Sequence, residues 1–412
     1  MGLIHPRLNR SAVFIFLIST AISAKSADFS NYGDFEGFTA IDFRLFPESP
    51  RFNEQDNDIL YPSLVMQPEY RFEWNGGSDR LTLVPFFRLD PIDEERQHFD
   101  LRELNWIHLE PSWDIRIGLG VVFWGVTESR HLVNIINQTD TLEDIDEEDK
   151  LGQPMINLNL VRNWGNLEFF LLPKFRERTF SNRYGRLRTE IPIDTDNAVY
   201  ESAAKSTHLD FAGRWSYVFG DWDIGFAHFV GTSREPRLVP RFNELEQPTQ
   251  LVPHYDIINQ TSIDMQATKG NWLWKLEAIS RAGHDRRFQA VVTGFEYTFY
   301  GIANTAIDVG IVGEYLWDDR SEEAPLTPFD NDVFIGSRLA FNDEQSTELL
   351  VGAFIDHNSG ASIFTVEGSR RIGDSWKLDL DARIFANIPD NDLSLSSLRN
   401  DSFINIRMSY FF

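Results

Sequence analysis

The sequence contains no cysteine, so neither a disulfide framework nor a thiolate metal site is open to it. Positive charge is scarce: 38 Lys and Arg stand against 63 Asp and Glu, a formal net charge of −25. That balance excludes nucleic acid as a partner, since phosphates are bound by clustered Lys and Arg. Long apolar runs are missing too. The one extended example, residues 11–22, falls short of the roughly 20 residues a membrane-spanning helix needs, and no second run of that length follows. There is no G-x-S-x-G, H-E-x-x-H or P-loop motif to announce a hydrolase or a nucleotide site. What the chain has in excess is aromatic rings. They make up 14% of residues, with 34 Phe and 11 Trp, although the mean hydropathy is −0.31.

The amino-terminal segment has the layout of a secretory signal peptide. Arg7 and Arg10 precede the apolar stretch 11–22, and the small residues Ser23, Ala24, Ser26 and Ala27 follow it. Residues 1–24 are therefore expected to be a signal peptide, with cleavage somewhere in 23–27. Residues 28–412 are expected to form a single domain.

The carboxyl-terminal end alternates strictly. Ile404, Ile406, Met408, Tyr410 and Phe412 are apolar, and Asn405, Arg407 and Ser409 lie between them. Period two puts the first set on one face of a strand and the second on the other. Phe35, Gly37, Thr39, Ile41, Phe43 and Leu45 alternate with Glu36, Asp42 and Arg44 in the same way. Farther on, Trp376, Leu378, Leu380, Ala382 and Ile384 alternate with Lys377, Asp379, Asp381 and Arg383. Charges of both signs on one strand face are costly in a dry core and fit a wet lumen. An outer face of apolar residues with aromatic girdles around a polar interior explains both the aromatic excess and the negative hydropathy.

Connections fall into two kinds. Short turns are expected at 75–78, 111–112, 164–165, 220–221, 270–271, 300–301, 342–343 and 373–374, where Gly, Asn, Asp and Pro supply tight-turn backbone. Longer polar segments lie near 47–61, 91–98, 125–153, 177–205, 233–255, 318–331 and 387–400, with brief connections at 283–287 and 357–360. Threading strands between them predicts an all-β transmembrane antiparallel barrel of about 16–18 strands, with short periplasmic turns and long extracellular loops. The string IINQT occurs at 135–139 and again at 257–261, too short to mark an internal duplication.

With the pattern laid out, the chain resembles the large porin-like barrels of Gram-negative outer membranes. Three stretches carry the resemblance: Trp113 to Gly118 running into Phe123-Trp124-Gly125-Val126-Thr127-Glu128; Gly294 to Ile302 followed by Glu314 to Arg320; and the terminal Tyr410-Phe411-Phe412. The last strand is similar to the signature that barrel-assembly machinery recognises, which gives Ile404, Ile406, Met408, Tyr410 and Phe412 the role of an assembly signal. The resemblance implies an outer-membrane location, contact with lipid and lipopolysaccharide, and passive diffusion of small hydrophilic solutes. It also implies assembly as a homotrimer, and it calls for no cofactor.

Two loops carry opposed charge. Residues 140–149 hold Asp140, Glu143, Asp144, Asp146, Glu147, Glu148 and Asp149, whereas 176–188 hold Arg176, Arg178, Arg183, Arg186 and Arg188. In general porins one loop folds into the lumen and sets acidic residues against a basic wall, focusing a field across the constriction. The expectation is that the 125–153 loop folds inward, constricts the lumen and faces those arginines. The acidic run departs from the EF-hand template, because Asp149 stands where the invariant glycine after Asp144 belongs, so no metal site is assigned there. Arg371, Lys377, Asp379, Asp381, Arg383 and Arg407 are expected to face the lumen.

Trp106, Trp113, Trp164, Trp222, Trp272, Trp274, Trp317 and Trp376 lie near strand ends, as interfacial girdles require. The other reading of Trp272 and Trp274, which share a face, is a stacking track for sugars. His131, His208, His254, His284 and His357 fall in or beside the long loops, with Ser129, Ser206 and Ser359 near three of them. Neighbours in sequence do not make a triad, so an outer-membrane hydrolase is the least favoured function and no catalytic residue is assigned. The alternative to a channel is a loop-closed, non-transporting barrel for surface binding or envelope assembly.

Overall fold

The computed structural model describes residues 33–412; the expected signal peptide lies outside the described residues. Strands β1 (Asp34–Leu45), β2 (Leu60–Trp74), β3 (Asp79–Leu89), β4 (Phe99–Glu110), β5 (Trp113–Gly120), β6 (Gln153–Arg162) and β7 (Gly165–Leu172) open the chain. There follow β8 (Val199–Tyr200), β9 (Asp210–Phe219), β10 (Trp222–Thr232), β11 (Arg237–Phe242), β12 (Pro248–Tyr255), β13 (Ile257–Lys269) and β14 (Trp272–Ala282). The last seven are β15 (Phe288–Phe299), β16 (Asp308–Asp318), β17 (Asn331–Ala340), β18 (Glu348–Asp356), β19 (Ser362–Ile372), β20 (Trp376–Ala386) and β21 (Phe403–Phe411).

Eighteen of these pair antiparallel with their neighbours, and the sheet closes where β1 meets β21 from Phe38 opposite Phe411 to Leu45 opposite Ile404. Closure satisfies every strand edge, the condition for spanning lipid without unpaired backbone groups. β8, β11 and β12 stand apart as a small sheet built from two of the long connections. The alternation pattern did not reveal them. Pro240 interrupts β11, and proline demotes a short run to an edge strand or a loop.

One set of connections gathers at the end that carries Asp34 and Phe411, and it includes 300–307 and 341–347, longer than the turns expected at 300–301 and 342–343. The other nine, which include all the long loops and the brief 283–287 and 357–361, gather at the opposite end. At Gly220 and Gly270, each first in a two-residue turn, φ is +60° and +63°, the left-handed value a tight hairpin of this kind requires.

The pleat sorts side chains as the period-two pattern predicts. Phe43, Met66, Ile117, Phe169, Phe226, Ile335, Phe364, Ile384, Ile404 and Ile406 stand exposed on the outside of their strands. A water-facing surface could not carry an apolar belt of that extent, whereas lipid demands one. At the short-turn end Trp272 stacks on Trp274 with ring centroids 5.2 Å apart, beside Phe295 and Tyr297. Both indoles are exposed on the face opposite the buried Lys275, Glu277 and Arg281, which makes them girdle residues and removes them from the lumen. Within the lumen, Arg407 binds Asp42 at 2.6 and 2.9 Å, and Arg383 reaches Glu367 and Asp381, each at 2.9 Å. Lys377 pairs with Asp379 at 2.7 Å, and Arg371 lies directly across from Lys377 on β19, on the same face as Glu367.

Candidate functional site

The connection between β5 and β6, residues 121–152, does not project from the barrel. It turns into the lumen and crosses it in two lobes, starting earlier than the expected 125. Its neck is stapled by Asn137, whose side-chain carbonyl accepts the Val122 amide at 2.9 Å. The amide nitrogen of Asn137 donates to Gly120 O and Leu151 O at 2.9 and 2.8 Å.

The first lobe is apolar within. Trp124, Leu132, Val133, Ile135 and Ile136 are buried with Met155, Phe170, Phe229 and Ile279 of the wall. Burying such side chains is worth about 1.5–3 kcal/mol each for the larger ones. Two wall carboxylates hold the lobe in register. Glu277 on β14 accepts the amides of Val126 (2.7 Å), Thr127 (3.1 Å) and Val133 (3.2 Å), together with the Thr127 hydroxyl (2.8 Å). Glu314 on β16 accepts the Glu128 and Ser129 amides at 2.8 Å each and the Ser129 hydroxyl at 2.5 Å. Gly125 makes this approach possible. Its φ is +149°, and a Cβ there would lie 2.9 Å from His131 and 3.0 Å from Glu277.

The second lobe carries the acidic run and meets the opposite wall through arginines. The Arg88 guanidinium on β3, with no exposed side-chain surface, binds both Glu143 carboxylate oxygens and also Asp42 at 2.7 Å. Arg102 on β4 binds Asp140 at 2.7 Å, and Arg44 on β1 reaches Asp144 at 3.7 Å. Arg383 on β20 binds Asp146 at 3.1 Å, and Arg407 on β21 approaches Glu143 at 3.9 Å. Burial pushes the Glu143 carboxyl up, but the Arg88 charge beside it outweighs this and holds it at about 2. His131 sits 3.8 Å from Glu277 and 3.9 Å from Glu148, and so spans the two lobes. Burial depresses its imidazolium, yet the two flanking carboxylates raise it to about 9.

The five arginines of 176–188 are mostly directed elsewhere. Among the described residues only Arg178 pairs with the acidic run, at 3.0 Å from Glu147. Arg176 binds Asp100, Arg183 binds Glu54 and Arg186 binds the buried Asp401; Arg188 donates to the carbonyls of Thr189 and Glu190. Opposed charges do meet across the lumen, but the basic side is supplied by single wall residues separated by up to hundreds of positions in the chain. No local run in the sequence marks them.

Between the loop and the wall strands β17–β20 remains a cavity of about 350 Å³. Glu128 to Leu132 and Ile145 to Glu148 line its loop side; Phe334, Phe354, Ile363 and Phe385 line its wall side. On the other half of the mouth the long connections close over the second lobe, where Arg186 joins Asp401 at 2.7 Å and donates to Glu48 O and Asn400 O.

Two other constellations resolve into structural roles. His284 places Nδ1 2.9 Å from Asp256 and Nε2 3.5 Å from Ser233. Ser233 is fully buried and donates to Glu235 O at 2.7 Å, so the group braces a turn and offers a substrate no approach. His98, Asp140 and Glu143 converge as metal ligands do, but Arg102 and Arg88 already supply the compensating charge to the two carboxylates.

No family model and no curated protein matches the chain. Among solved structures it is similar to the BenF-like porin of Pseudomonas fluorescens Pf-5, at TM-score 0.53 and 9% identity over 92% of this chain and 97% of that one. It is also similar to OccAB3 of Acinetobacter baumannii, at TM-score 0.51 and 9% identity over 92% and 99%. At that identity the likeness establishes the fold. The fold is therefore the closed eighteen-stranded barrel of the porin type, with one connection folded into its lumen.

Proposed function

We propose that the chain is an outer-membrane channel for passive diffusion of small hydrophilic solutes, exported by a signal peptide at residues 1–24. The carrying observation is the cavity left between the inward loop and β17–β20, in a barrel too wide for its wall side chains alone to fill. The loop narrows the lumen, and its acidic run lies at the constriction. Lipid and lipopolysaccharide meet the apolar belt, while the β21 face bearing Ile404, Ile406, Met408, Tyr410 and Phe412 serves the assembly machinery. A homotrimer is the expected assembly. No cofactor or catalytic step enters this reading.

The test is single-channel recording of refolded mature protein in a planar bilayer under a salt gradient. Stable openings are expected. Silence from a demonstrably folded barrel would favour the loop-closed reading, which the Arg186–Asp401 cap over half of the mouth supports.

A further inference from the structure

The cavity beside the loop presents its charges unequally. Its cations are withdrawn: the side chains of Arg281, Arg234, Arg383, Arg178, Arg130 and His131 are only 2–19% exposed. Each is committed to a carboxylate, respectively Glu235, Asp210, Asp146, Glu147, Asp318 and the buried Glu277. Lys150 turns its ammonium to the Thr139 hydroxyl at 2.9 Å. Three carboxylates on the same lining are wetted instead. Glu148 is 64% exposed, and Glu147 and Glu367 are each 45% exposed. A solute in this space meets carboxylate oxygens first, and the positive charges behind them are already paired.

The facing wall is of a different kind. Phe334, Phe354 and Phe329 form a continuous aromatic strip, with successive ring centroids 4.8 and 5.0 Å apart, and Ile363 and Phe385 extend it. The Arg130 guanidinium already lies 5.7 Å from the Phe329 ring centroid, so an organic cation against this strip has a precedent within the molecule. Small-solute sites combine such apolar walls with a few placed polar groups, and 350 Å³ lies in the lower range of their volumes.

We infer that the cavity selects organic monocations with an apolar body, such as aryl- or alkyl-ammonium ions, holding the body on the Phe334–Phe354–Phe329 strip and the ammonium against Glu148 and Glu367. This inference rests on the channel reading and specifies its solute class.

The experiment uses full-length mature protein in planar bilayers carrying potassium chloride current, with benzylammonium, benzoate or methylammonium added on the long-loop side. Benzylammonium is expected to interrupt the current at millimolar concentration, with benzoate and methylammonium inert there. In the double variant Glu148→Gln with Glu367→Gln, and in Phe354→Ala, the half-blocking concentration should rise about fivefold or more. Block by benzoate to the same degree would overturn the charge assignment, and equal block by methylammonium would overturn the apolar wall's part. A folded barrel that conducts nothing refutes the channel reading by itself. The inferred site is then judged by calorimetric titration of benzylammonium into the protein in detergent. Heat that is lost in the double variant upholds the site, and its absence in the wild type overturns it.

Discussion

Glu277 and Thr127 lie 150 residues apart in sequence and are joined twice: one carboxylate oxygen accepts both the amide and the hydroxyl of the threonine, at 3.1 and 2.8 Å. A fully buried carboxylate thus fixes the backbone of a loop that has no regular structure of its own.

Replacing that carboxylate by an amide turns one acceptor into a donor that faces backbone amides. Glu277→Gln should loosen the first lobe, at a cost of about 1–3 kcal/mol for a buried donor left unsatisfied. Larger and noisier single-channel openings are expected, together with proteolytic nicking within 121–138. Currents and nicking identical to wild type would mean the loop is held elsewhere.

Arg88 carries the other lobe. Its removal strands Glu143 of the loop and leaves Asp42 of the wall with Arg407 alone, and breaking one partner of a buried pair costs about 3–5 kcal/mol. Arg88→Met should lower the temperature at which the barrel unfolds in detergent electrophoresis, and adding Glu143→Leu should recover part of the loss. An unshifted transition in the single variant would sink the idea that this pair anchors the lobe.

The two lobes differ in their response to pH. Glu143, lowered to about 2 from its ordinary 4.5, contributes stability that is complete above 4.5 and lost as pH falls through 2. His131, raised to about 9 from 6.5, contributes stability that is complete below 6.5 and lost as pH rises through 9. Unfolding temperature followed by tryptophan fluorescence should therefore gain an acid limb from Glu143 below 4.5 and an alkaline limb from His131 above 6.5. His131→Gln should erase the alkaline limb and leave the acid limb. A variant that retains both limbs would show that His131 is not the group responsible.

Of the five arginines at 176–188, one touches the acidic run. Arg178→Gln should free the Glu147 charge and shift the reversal potential toward cation preference, whereas Arg183→Gln, whose partner is Glu54, should leave it unchanged. Equal shifts from both would argue for a field summed over the whole arginine-rich connection.

The barrel was legible in the sequence because every strand had to solve the same two-sided problem. Trp376 and Lys377, adjacent in the chain, face lipid and water, and that alternation survives without any tertiary information. The inward path of 121–152 had a fainter mark. The apolar cluster Leu132, Val133, Ile135 and Ile136 has no use in a solvated loop, but the carboxylate run beside it is the stronger compositional signal. The partners of that run were not legible. Arg44, Arg88, Arg102, Arg383 and Arg407 come from five strands, each an ordinary lumen residue until closure brings them to one side. The β8–β11–β12 sheet escaped because short strands with proline read as loop.

The Asp42–Arg407 bridge crosses the seam between the first and last barrel strands, joining residues 365 positions apart. Asp42 is also bound to Arg88, which holds Glu143. Until β21 docks, this cluster has two carboxylates and a single guanidinium, and one carboxylate is left undercompensated. Zipping the sheet shut delivers the second guanidinium. The inward loop and the seam are thereby one latch, and a half-assembled barrel, still open along its side, would also lack a settled loop.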